Sequence, residues 1–409
     1  MKVYLSNTIE NKTVSVNIPG SKSESNRLLI LKKIYPNIFL HNLSNCDDTL
    51  ALSRGIEAKN GIVDVHHAGT AMRFLTGFFA SKNDIELTLT GSKRMQERPI
   101  KILVDALRLI GADISYVRNN GYPPLKINGK ELVLDSLSID ANISSQYISA
   151  LMLIAPSLHK GLTITLKNKI TSVPYIKMTL ELLCRIGIYC TLNNNIIKIT
   201  STKTIKDITI NIESDWSSAS YYYSLVALSE HLEITLKTFK RDSIQGDSKV
   251  VDLFKKLGVD TIFNETDNAI TLRKNQRKIE NFLNLNLIET PDIAQTIAVT
   301  CFGLGISCEL TGLKTLKIKE TDRLLALKIE LLKLGAELTI TEKSLFLKQR
   351  KTINKNIVID TYDDHRMAMS FAPLYLKVPI IINNPNVVSK SYKTFWKDLQ
   401  KIGGKVLIK

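Results

Sequence analysis

Residues 332–348 read LKLGAELTITEKSLFLK, and this stretch decides the fold. An apolar-rich run ends at Leu334 and is followed by Gly335, a residue typical of the C-terminal end of a helix. After the glycine, apolar and polar residues alternate, a polar turn follows, and the alternation resumes. This pattern predicts a β-hairpin. The stretch therefore predicts a helix, a glycine stop and a hairpin, in that order.

The same pattern returns along the chain with a period of roughly seventy residues. Its glycines are Gly111, Gly187, Gly258, Gly335 and Gly403, with a weaker copy at Gly55. A leucine and a glycine after a helix are common enough to occur together by chance, but five evenly spaced copies favour a true repeat. The repeat predicts six α/β units divided between two lobes, with three units in each lobe.

The composition is that of an ordinary globular protein. Of the 409 residues, 44% are hydrophobic and 23% are charged, and the length suffices for two or three domains. Apolar runs such as residues 147–158 are too short for a membrane span, and the first residues contain no apolar signal region. The five cysteines form no Cys-x-x-Cys pair, which is typical of a reducing compartment. We therefore expect a cytoplasmic protein with no membrane partner.

The formal net charge of +16 has two interpretations. A strong positive balance can indicate a protein that binds nucleic acid. However, the lysines are scattered, and no basic run alternates with aromatic residues as in a channel for single strands. We therefore expect no nucleic-acid partner, and we expect the excess charge to favour small anionic substrates where it lines a cleft.

Seven short polar loops precede helical patterns, at residues 20–23, 68–70, 144–146, 215–218, 291–292, 319–322 and 363–366. Any one of them indicates only a helix N-cap, because Ser, Thr and Asp are common caps. However, cations recur beside these loops although the helix dipole disfavours positive charge there. These cations are Lys22, Arg27, Arg73, Lys319, Arg323 and Arg366. The combination predicts that helix N-termini and side chains together bind phosphate or carboxylate groups.

Other common devices of catalysis are missing from the sequence. There is no Gly-x-x-x-x-Gly-Lys-[Ser/Thr] loop, and Gly303-Leu304-Gly305 lacks the third glycine of a dinucleotide site. The pair His66-His67 is not part of any cluster with metal-ligand spacing. We therefore expect an enzyme that uses neither a metal nor a cofactor.

Seven segments occur in an order typical of one family. They are PGSKSESNR (19–27), AGTAMR (68–73), RMQERPI (94–100), YPPL (122–125), SSQ (144–146), KETDR (319–323) and DHRMAM (364–369). In these segments the chain resembles the enolpyruvylshikimate-phosphate synthase family over nearly its whole length. The resemblance implies a mixed α/β, two-lobed enolpyruvyl transferase fold of six βαβαββ units. It implies an upper lobe of residues 21–214 and a lower lobe of residues 1–20 and 215–409.

The resemblance also implies a reaction. The enolpyruvyl group of phosphoenolpyruvate is transferred to the 5-hydroxyl of shikimate 3-phosphate, phosphate is released, and the product leads to chorismate and aromatic amino acids. The implied catalytic residues are Asp292 as the base at the hydroxyl, Glu320 as the acid/base at the methylene carbon, and Lys22. The implied phosphoenolpyruvate contacts are Lys22, Gly69, Arg94, Gln146, Arg323, Arg366 and Lys390. The implied shikimate phosphate contacts are Lys22, Ser23, Arg27, Ser144, Ser145, Gln146, Ser172, Tyr175, Asp292, Thr315 and Lys319.

Simpler interpretations exist for single residues. Without the resemblance, Asp292 after a proline would be an ordinary helix cap, Glu320 a surface residue and Lys390 an exposed lysine. The sequence also departs from the commonest family pattern at four positions, which are Thr315 for Asn, His67 for Asn, Phe74 for Pro and Val173 for Lys. These departures concern substrate affinity and the response to the inhibitor glyphosate, which the resemblance implies at the phosphoenolpyruvate site. We expect the protein to act as a monomer.

The nearest rival with the same fold is a UDP-N-acetylglucosamine enolpyruvyl transferase. Members of that family carry a reactive cysteine on the loop before Arg-Pro. Residues 91–97 of this chain contain no cysteine, and Ser144-Ser145-Gln146 favours shikimate phosphate. We therefore regard this rival as the alternative.

Overall fold

The computed structural model describes residues 1–7, 12–142, 144–350 and 352–409. They form two compact units. The N/C unit combines Met1–Pro19 with Glu213–Lys409, and the middle unit is Gly20–Ile212. The lobe limits expected near Gly20 and Ser214 fall within two residues of these bounds. None of the helices in the described ranges has the length and apolar character needed to span a membrane.

The chain begins with two strands of the N/C unit, β1 (Lys2–Asn7) and β2 (Lys12–Val16). The middle unit follows. Its helices are α1 (Lys22–Ile34), α2 (Asp47–Gly55), α3 (Gly69–Ala80), α4 (Lys93–Gln96), α5 (Lys101–Leu109), α6 (Ser145–Ile154) and α7 (Val173–Arg185). Its strands are β3 (Ile38–His41), β4 (Asn60–Asp64), β5 (Glu86–Thr90), β6 (Asp113–Tyr116), β7 (Leu125–Asn128), β8 (Ser136–Asp140), β9 (Leu162–Lys167), β10 (Cys190–Asn193), β11 (Ile196–Ile199) and β12 (Ile208–Asn211).

The rest of the chain completes the N/C unit. Its helices are α8 (Trp216–Leu228), α9 (Val250–Lys255), α10 (Ala294–Leu304), α11 (Arg323–Lys333), α12 (His365–Phe371) and α13 (Phe395–Lys401). Its strands are β13 (Leu232–Lys237), β14 (Val259–Asn264), β15 (Ala269–Lys274), β16 (Phe282–Asn286), β17 (Ser307–Thr311), β18 (Leu338–Ile340), β19 (Ser344–Leu347), β20 (Ile357–Ile359), β21 (Ile380–Asn383) and β22 (Gly404–Ile408). Short 3-10 turns include Gly246–Lys249, Pro291–Ile293, Lys314–Ile318 and Pro385–Lys390.

Five sheets formed by the described residues share one plan. In the strand order of each sheet, the first two strands pair in parallel, and the other two neighbouring pairs are antiparallel. The strand orders are β4-β5-β7-β6 and β8-β9-β11-β10 in the middle unit, and β2-β13-β15-β14, β16-β17-β19-β18 and β20-β21-β1-β22 in the N/C unit. In the last of these sheets the strands at the beginning and end of the chain pair with each other, Val3 opposite Ile408. The mixed α/β fold class is confirmed.

The five strong repeat glycines follow the C-terminal ends of helices α5, α7, α9, α11 and α13, as predicted. Gly111, Gly187, Gly258, Gly335 and Gly403 all have positive φ, between 86° and 112°. Glycine reaches this left-handed region without the steric cost that a Cβ would add. The hairpins β6-β7, β10-β11, β14-β15 and β18-β19 follow the first four. After the fifth, β22 pairs with β1 instead.

The sixth sheet has two strands. Strand β12 pairs in parallel with β3, Ile208 opposite Ile38. Residues 56–59, all of them described, lead from the end of α2 at Gly55 into β4 of the next sheet without forming a strand. No hairpin follows the weak repeat copy at Gly55, and none follows Gly403, where β22 pairs with β1.

Buried helices lie at the centre of each unit. Nearly every residue of α3 and α6 in the middle unit, and of α8, α10 and α12 in the N/C unit, is buried. A helix that is apolar on all sides belongs in a core, and each fully buried Leu, Ile or Val side chain contributes about 1.5–3 kcal/mol. These helices, together with α1, begin at six of the seven predicted loops, and the seventh precedes α11. The core thereby fixes the loops that carry the candidate site.

Candidate active site

A charged cluster in the N/C unit is built around Arg323, the first residue of α11. Its Nη1 donates to Asp292 Oδ1 (3.0 Å), its Nη2 to Glu320 Oε2 (2.8 Å) and its Nε to Asp364 Oδ2 (2.6 Å). The guanidinium is almost fully buried. One cation therefore joins three carboxylates from three predicted loops.

Three more cations complete this arrangement. Lys319 Nζ lies 3.4 Å from Asp292 Oδ1, and Arg366 Nη2 lies 3.1 Å from Asp292 Oδ2. Lys390 Nζ lies 3.1 Å from Glu320 Oε1. We call the seven residues the Arg323 cluster: Asp292, Lys319, Glu320, Arg323, Asp364, Arg366 and Lys390. With four cations and three carboxylates, it keeps an excess of positive charge.

The loops hold these side chains through local backbone geometry. Asp322 caps α11 by accepting from Leu325 N–H (3.1 Å), which orients Arg323. Asp364 caps α12 by accepting from Arg366 N–H (2.9 Å) and also bonds Arg323. A helix cap and an ion pair thus share one buried carboxylate, which fixes the start of α12 against Arg323.

The simpler interpretations of three residues are wrong. Asp292 does not occupy a cap position, because it lies in the turn Pro291–Ile293 and the residue before α10 is Ile293. Glu320 is not a free surface residue, since it pairs with Arg323 and Lys390. The side chain of Lys390 is only 9% exposed.

The electrostatic field of the cluster favours the ionised form of Asp292. Burial opposes ionisation, but the charges of Arg366, Lys319 and Arg323 outweigh it and hold the pKa of Asp292 well below its usual range. Burial would also lower the pKa of Arg323, but the carboxylates of Asp364, Glu320 and Asp292 raise it. Each partner therefore stabilises the charged form of the other.

Asp247, which sequence reasoning missed, extends the cluster. It is buried and accepts a hydrogen bond from Ser217 Oγ, and Ser217 Oγ accepts from Arg366 Nη2 (3.3 Å). Burial, and next the negative charge of Asp292, raise the pKa of Asp247 to about 7. Asp247 lies in the 3-10 turn Gly246–Lys249 just before α9, a position that the sequence does not distinguish from an ordinary turn.

In the middle unit, Arg27 of α1 has different partners. Its Nε donates to Thr179 Oγ1 (2.8 Å), its Nη1 to the Ser23 carbonyl (2.8 Å) and its Nη2 to Ser149 Oγ (3.1 Å). Its guanidinium carbon lies 5.4 Å from the centre of the Phe74 ring. Burial lowers the pKa of Arg27 to about 10, although Tyr175 and Glu24 act in the opposite direction. Phe74 therefore packs against a predicted site residue within an unbroken helix α3.

A glycine and an arginine meet at the start of α3. A Cβ built on Gly69 would lie 2.5 Å from Arg98 Nη1, so the guanidinium fills the space that the missing side chain leaves. Arg98 is mostly buried, and its Nε has no hydrogen-bond partner in the described part of the chain. The predicted residue Arg94 instead has a side chain 41% exposed and pairs with Glu97 at 3.3 Å.

Arg73 has a positioning role within this loop. Its Nη1 donates to the Gly69 carbonyl (3.3 Å) and its Nη2 to the Pro99 carbonyl (3.0 Å). The side chain is buried and ties α3 to the segment that carries Arg98. We therefore assign Arg73 to positioning this loop and no longer expect it to bind a substrate anion.

The remaining predicted residues of the middle unit lie at helix starts. Ser144 caps α6 by accepting from Gln146 N–H (3.3 Å), and Gln146 Nε2 donates to Thr70 Oγ1 (3.4 Å). Ser145 is the first residue of α6, and Ser23 follows Lys22 at the start of α1. Lys22 Nζ lies 3.2 Å from Asp48 Oδ2.

Three predicted shikimate phosphate contacts lie elsewhere in the two units. Ser172 precedes α7 with a φ of 54°, and the Tyr175 carbonyl accepts from Arg27 (3.3 Å). In the N/C unit, Thr315 lies on the turn Lys314–Ile318, and its buried hydroxyl has no hydrogen-bond partner among the residues described.

Comparison with known proteins identifies the family. The family model for EPSP synthase (3-phosphoshikimate 1-carboxyvinyltransferase) matches residues 41–399. The chain belongs to the EPSP synthase family. The membership expected from the loop segments is therefore confirmed, together with an enzymatic function.

Curated relatives and solved structures agree with this family. A 3-phosphoshikimate 1-carboxyvinyltransferase of Bacteroides fragilis (strain YCH46) is 44% identical over 98% of both chains. One of Neisseria meningitidis serogroup C is 33% identical over 94% of this chain and 95% of the relative. A solved EPSP synthase of Acinetobacter baumannii has a similar fold, with a TM-score of 0.78, full coverage of both chains and 20% identity. The UDP-N-acetylglucosamine alternative is not favoured.

Proposed function

We propose that this chain transfers the enolpyruvyl group of phosphoenolpyruvate to the 5-hydroxyl of shikimate 3-phosphate and releases phosphate. The observation that supports this most is the Arg323 cluster, which combines four cations with two acidic groups suited to proton transfer, Asp292 and Glu320. Both substrates are polyanions, so a site with fixed cations and a positive balance stabilises them.

In the proposed reaction, Glu320 donates a proton to the methylene carbon of phosphoenolpyruvate. The neighbouring carbon becomes electrophilic, and the 5-hydroxyl oxygen attacks it while Asp292 accepts the hydroxyl proton. A tetrahedral intermediate forms. Phosphate then leaves and takes up the proton held by Asp292, the new methyl group returns a proton to Glu320, and the enol ether is complete.

The charges around Asp292 bear on its role as a base. In the protein alone, Arg366, Lys319 and Arg323 hold this carboxylate ionised, which makes it a weak proton acceptor. When substrate phosphate and carboxylate groups engage those cations, less of their charge acts on Asp292. Its pKa then rises towards the range in which it accepts a proton.

We assign binding roles by chemistry. Arg323, Arg366 and Lys390 are proposed to hold phosphoenolpyruvate together with Lys22, Gly69 and Gln146. We add Arg98 to this set, because its partly unpaired guanidinium lies against Gly69, whereas Arg94 is exposed. Shikimate phosphate is proposed to contact Lys22, Ser23, Arg27, Ser144, Ser145, Gln146, Ser172, Tyr175, Asp292, Thr315 and Lys319.

We also propose that the protein works in the cytoplasm as a monomer and that glyphosate competes at the phosphoenolpyruvate site. The five cysteines, all described and all present as free thiols, support a reducing compartment.

Release of phosphate tests the function. Purified protein is mixed with phosphoenolpyruvate and either shikimate 3-phosphate or UDP-N-acetylglucosamine, and phosphate is followed continuously. We expect release with shikimate 3-phosphate alone. Release with the sugar nucleotide alone, or with neither acceptor, would overturn the proposal.

A further inference from the structure

Two thiols lie close together at the C-terminal end of helix α7. Cys184 is in the last turn of α7, and Cys190 is the first residue of β10. Their Sγ atoms are 3.0 Å apart. Cys184 is exposed to solvent, and Cys190 is partly buried. The proposed reaction uses neither thiol.

The backbone between the two cysteines is held by hydrogen bonds. Gly187 N–H donates to the Cys184 carbonyl (3.0 Å), and Ile188 N–H donates to the Leu183 carbonyl (3.0 Å). The Cys190 thiol also contacts the Leu180 carbonyl (3.4 Å). The closeness of the sulfurs is therefore set by a helix end and a strand start, and a disulfide of about 2 Å needs a movement of only about 1 Å.

We propose that Cys184 and Cys190 form a redox-active dithiol that closes reversibly to an intramolecular disulfide when a peroxide is the oxidant. The Cys184 thiolate attacks one peroxide oxygen, the O–O bond breaks, and Cys184 becomes a sulfenic acid while hydroxide leaves. The Cys190 sulfur then attacks the Cys184 sulfur. The S–S bond forms, the S–O bond breaks, and the hydroxyl leaves as water with the proton of Cys190.

The electron balance is complete in this scheme. Two thiols lose two electrons and two protons, and one hydrogen peroxide molecule becomes two water molecules. A thiol reductant reverses the change by exchange at either sulfur.

The exposure of Cys184 and the raised pKa of Cys190 indicate the order in which the two thiols react. Cys184 meets the peroxide first, because it is the exposed thiol. Burial, and next the hydrogen bond with Cys184, raise the pKa of Cys190 to about 12, so Cys190 keeps its proton until it resolves the sulfenic acid.

A second thiol pair provides an internal comparison. Cys301 of α10 and Cys308 of β17 are linked by a side-chain hydrogen bond, and both are fully buried in the N/C unit. The hydrogen bond to Cys308, and next burial, raise the pKa of Cys301 well above its usual range. This pair has a partner sulfur but no exposed member, so it tests whether closeness alone is enough.

The experiment uses the full chain, reduced and then freed of reductant. Hydrogen peroxide is added in equal molar amount, and the remaining thiols are counted in denaturant. We expect the count to fall from five to three, with peptide mass mapping that joins Cys184 to Cys190, and dithiothreitol should restore five. The variant Cys301→Ser should still lose two thiols.

Two further variants separate the steps. Cys184→Ser should keep its four thiols, and Cys190→Ser should stop at a sulfenic acid that a dimedone probe captures at Cys184. Far-ultraviolet circular dichroism verifies that each serine variant is folded. The proposal is overturned if wild-type protein keeps all five thiols, if the new disulfide maps to Cys301 and Cys308, or if Cys184→Ser loses thiols as the wild type does.

Discussion

Arg323, at the start of α11 in the N/C unit, and Arg27, in the second turn of α1 in the middle unit, are both buried arginines, but their surroundings differ. Arg323 bonds three carboxylates, whereas Arg27 donates to hydroxyl and carbonyl oxygens. The pKa of Arg323 is raised by its acidic partners, and burial lowers the pKa of Arg27 to about 10. The same residue type therefore has opposite shifts in the two units.

This difference suggests a division of work. In the N/C unit, cations hold the proposed base Asp292 ionised until substrate anions engage them, and the second proposed acid/base, Glu320, lies in the same cluster. In the middle unit, neutral partners leave the charge of a buried cation less compensated, so an incoming carboxylate or phosphate gains more from it. We infer that proton transfer is confined to the N/C unit, whereas both units supply cations for the substrate anions.

The strongest test of this division is Asp292→Asn in the N/C unit. The amide cannot accept the hydroxyl proton, so kcat should fall by ~10²–10⁴-fold, the usual contribution of a positioned base. The binding constant for shikimate 3-phosphate, measured by calorimetry, should change much less. Asp322→Asn is the matched control, because Asp322 precedes Arg323 in sequence, caps α11, and Asn is also a good cap. Near-normal turnover in Asp292→Asn would refute the assignment.

The second test compares two arginines of one loop in the middle unit. Arg98→Lys keeps the charge but loses the planar fork, so kcat/KM for phosphoenolpyruvate should fall by ~10- to 100-fold, the loss of one charge-assisted hydrogen bond. Arg94→Lys, at an exposed position, should change the same constant by less than about threefold. Steady-state kinetics at saturating shikimate 3-phosphate give both values. A reversed order would restore Arg94 as the ligand contact.

The repeat was predictable because it depends on local signals. The positive-φ glycines and the alternating hairpins after them are visible in residues such as 332–348. The same signals are weak at Gly55, and there the structure has two strands in place of four. A weak local pattern therefore corresponded to a real departure from the plan, although the sequence alone did not say which strands were missing.

Arg98 and Asp247 could not be chosen from the sequence, because their roles depend on distant neighbours. The segment RMQERPI contains two arginines, and only the contact with Gly69 distinguishes them. The pKa of Asp247 depends on its burial and on Asp292, which is far away in sequence. Charges that meet across loops are set by tertiary structure, and spacing along the chain does not reveal them.

A third test concerns Gly69, which is not among the described glycines with positive φ. A left-handed backbone conformation therefore does not explain why this position is a glycine. Gly69→Ala should displace the Arg98 guanidinium and raise KM for phosphoenolpyruvate by roughly fivefold, near the lower end of what overpacking costs, because a flexible side chain can shift.

Glyphosate is longer than phosphoenolpyruvate, so its inhibition constant should rise by a larger factor than KM. Equal factors would mean that the methyl group acts through Arg98 alone and does not crowd the inhibitor. Gly77→Ala, in the same helix, is the control, because its Cβ would meet the Ala150 carbonyl at 3.3 Å. It should lower thermal stability and leave both constants unchanged.

The smallest expected effect concerns Asp247 in the N/C unit, where the raised pKa makes folding depend on pH. The carboxyl has a pKa of about 7 in the folded protein and an ordinary value near 3.8 when exposed. The protonated form is therefore favoured by folding. Its stabilisation is fully present below the unfolded value and is lost as the pH rises through about 7. Between about pH 5.5 and 8.5 this loss amounts to about 2 kcal/mol, or ~2–4 °C in Tm for a chain of this length.

Asp247→Asn replaces the carboxyl with a neutral amide of the same shape. The variant should lose this part of the pH dependence, and its gain in thermal stability over the wild type should be larger at pH 8.5 than at pH 5.5. Differential scanning calorimetry across that range measures both slopes, and Asp322→Asn should keep the wild-type slope. An unchanged slope in Asp247→Asn would mean that Asp247 is ionised in the folded protein. The Arg323 cluster would then have one more negative charge beside it, and the contrast between a charge-balanced N/C unit and a less compensated Arg27 would become sharper.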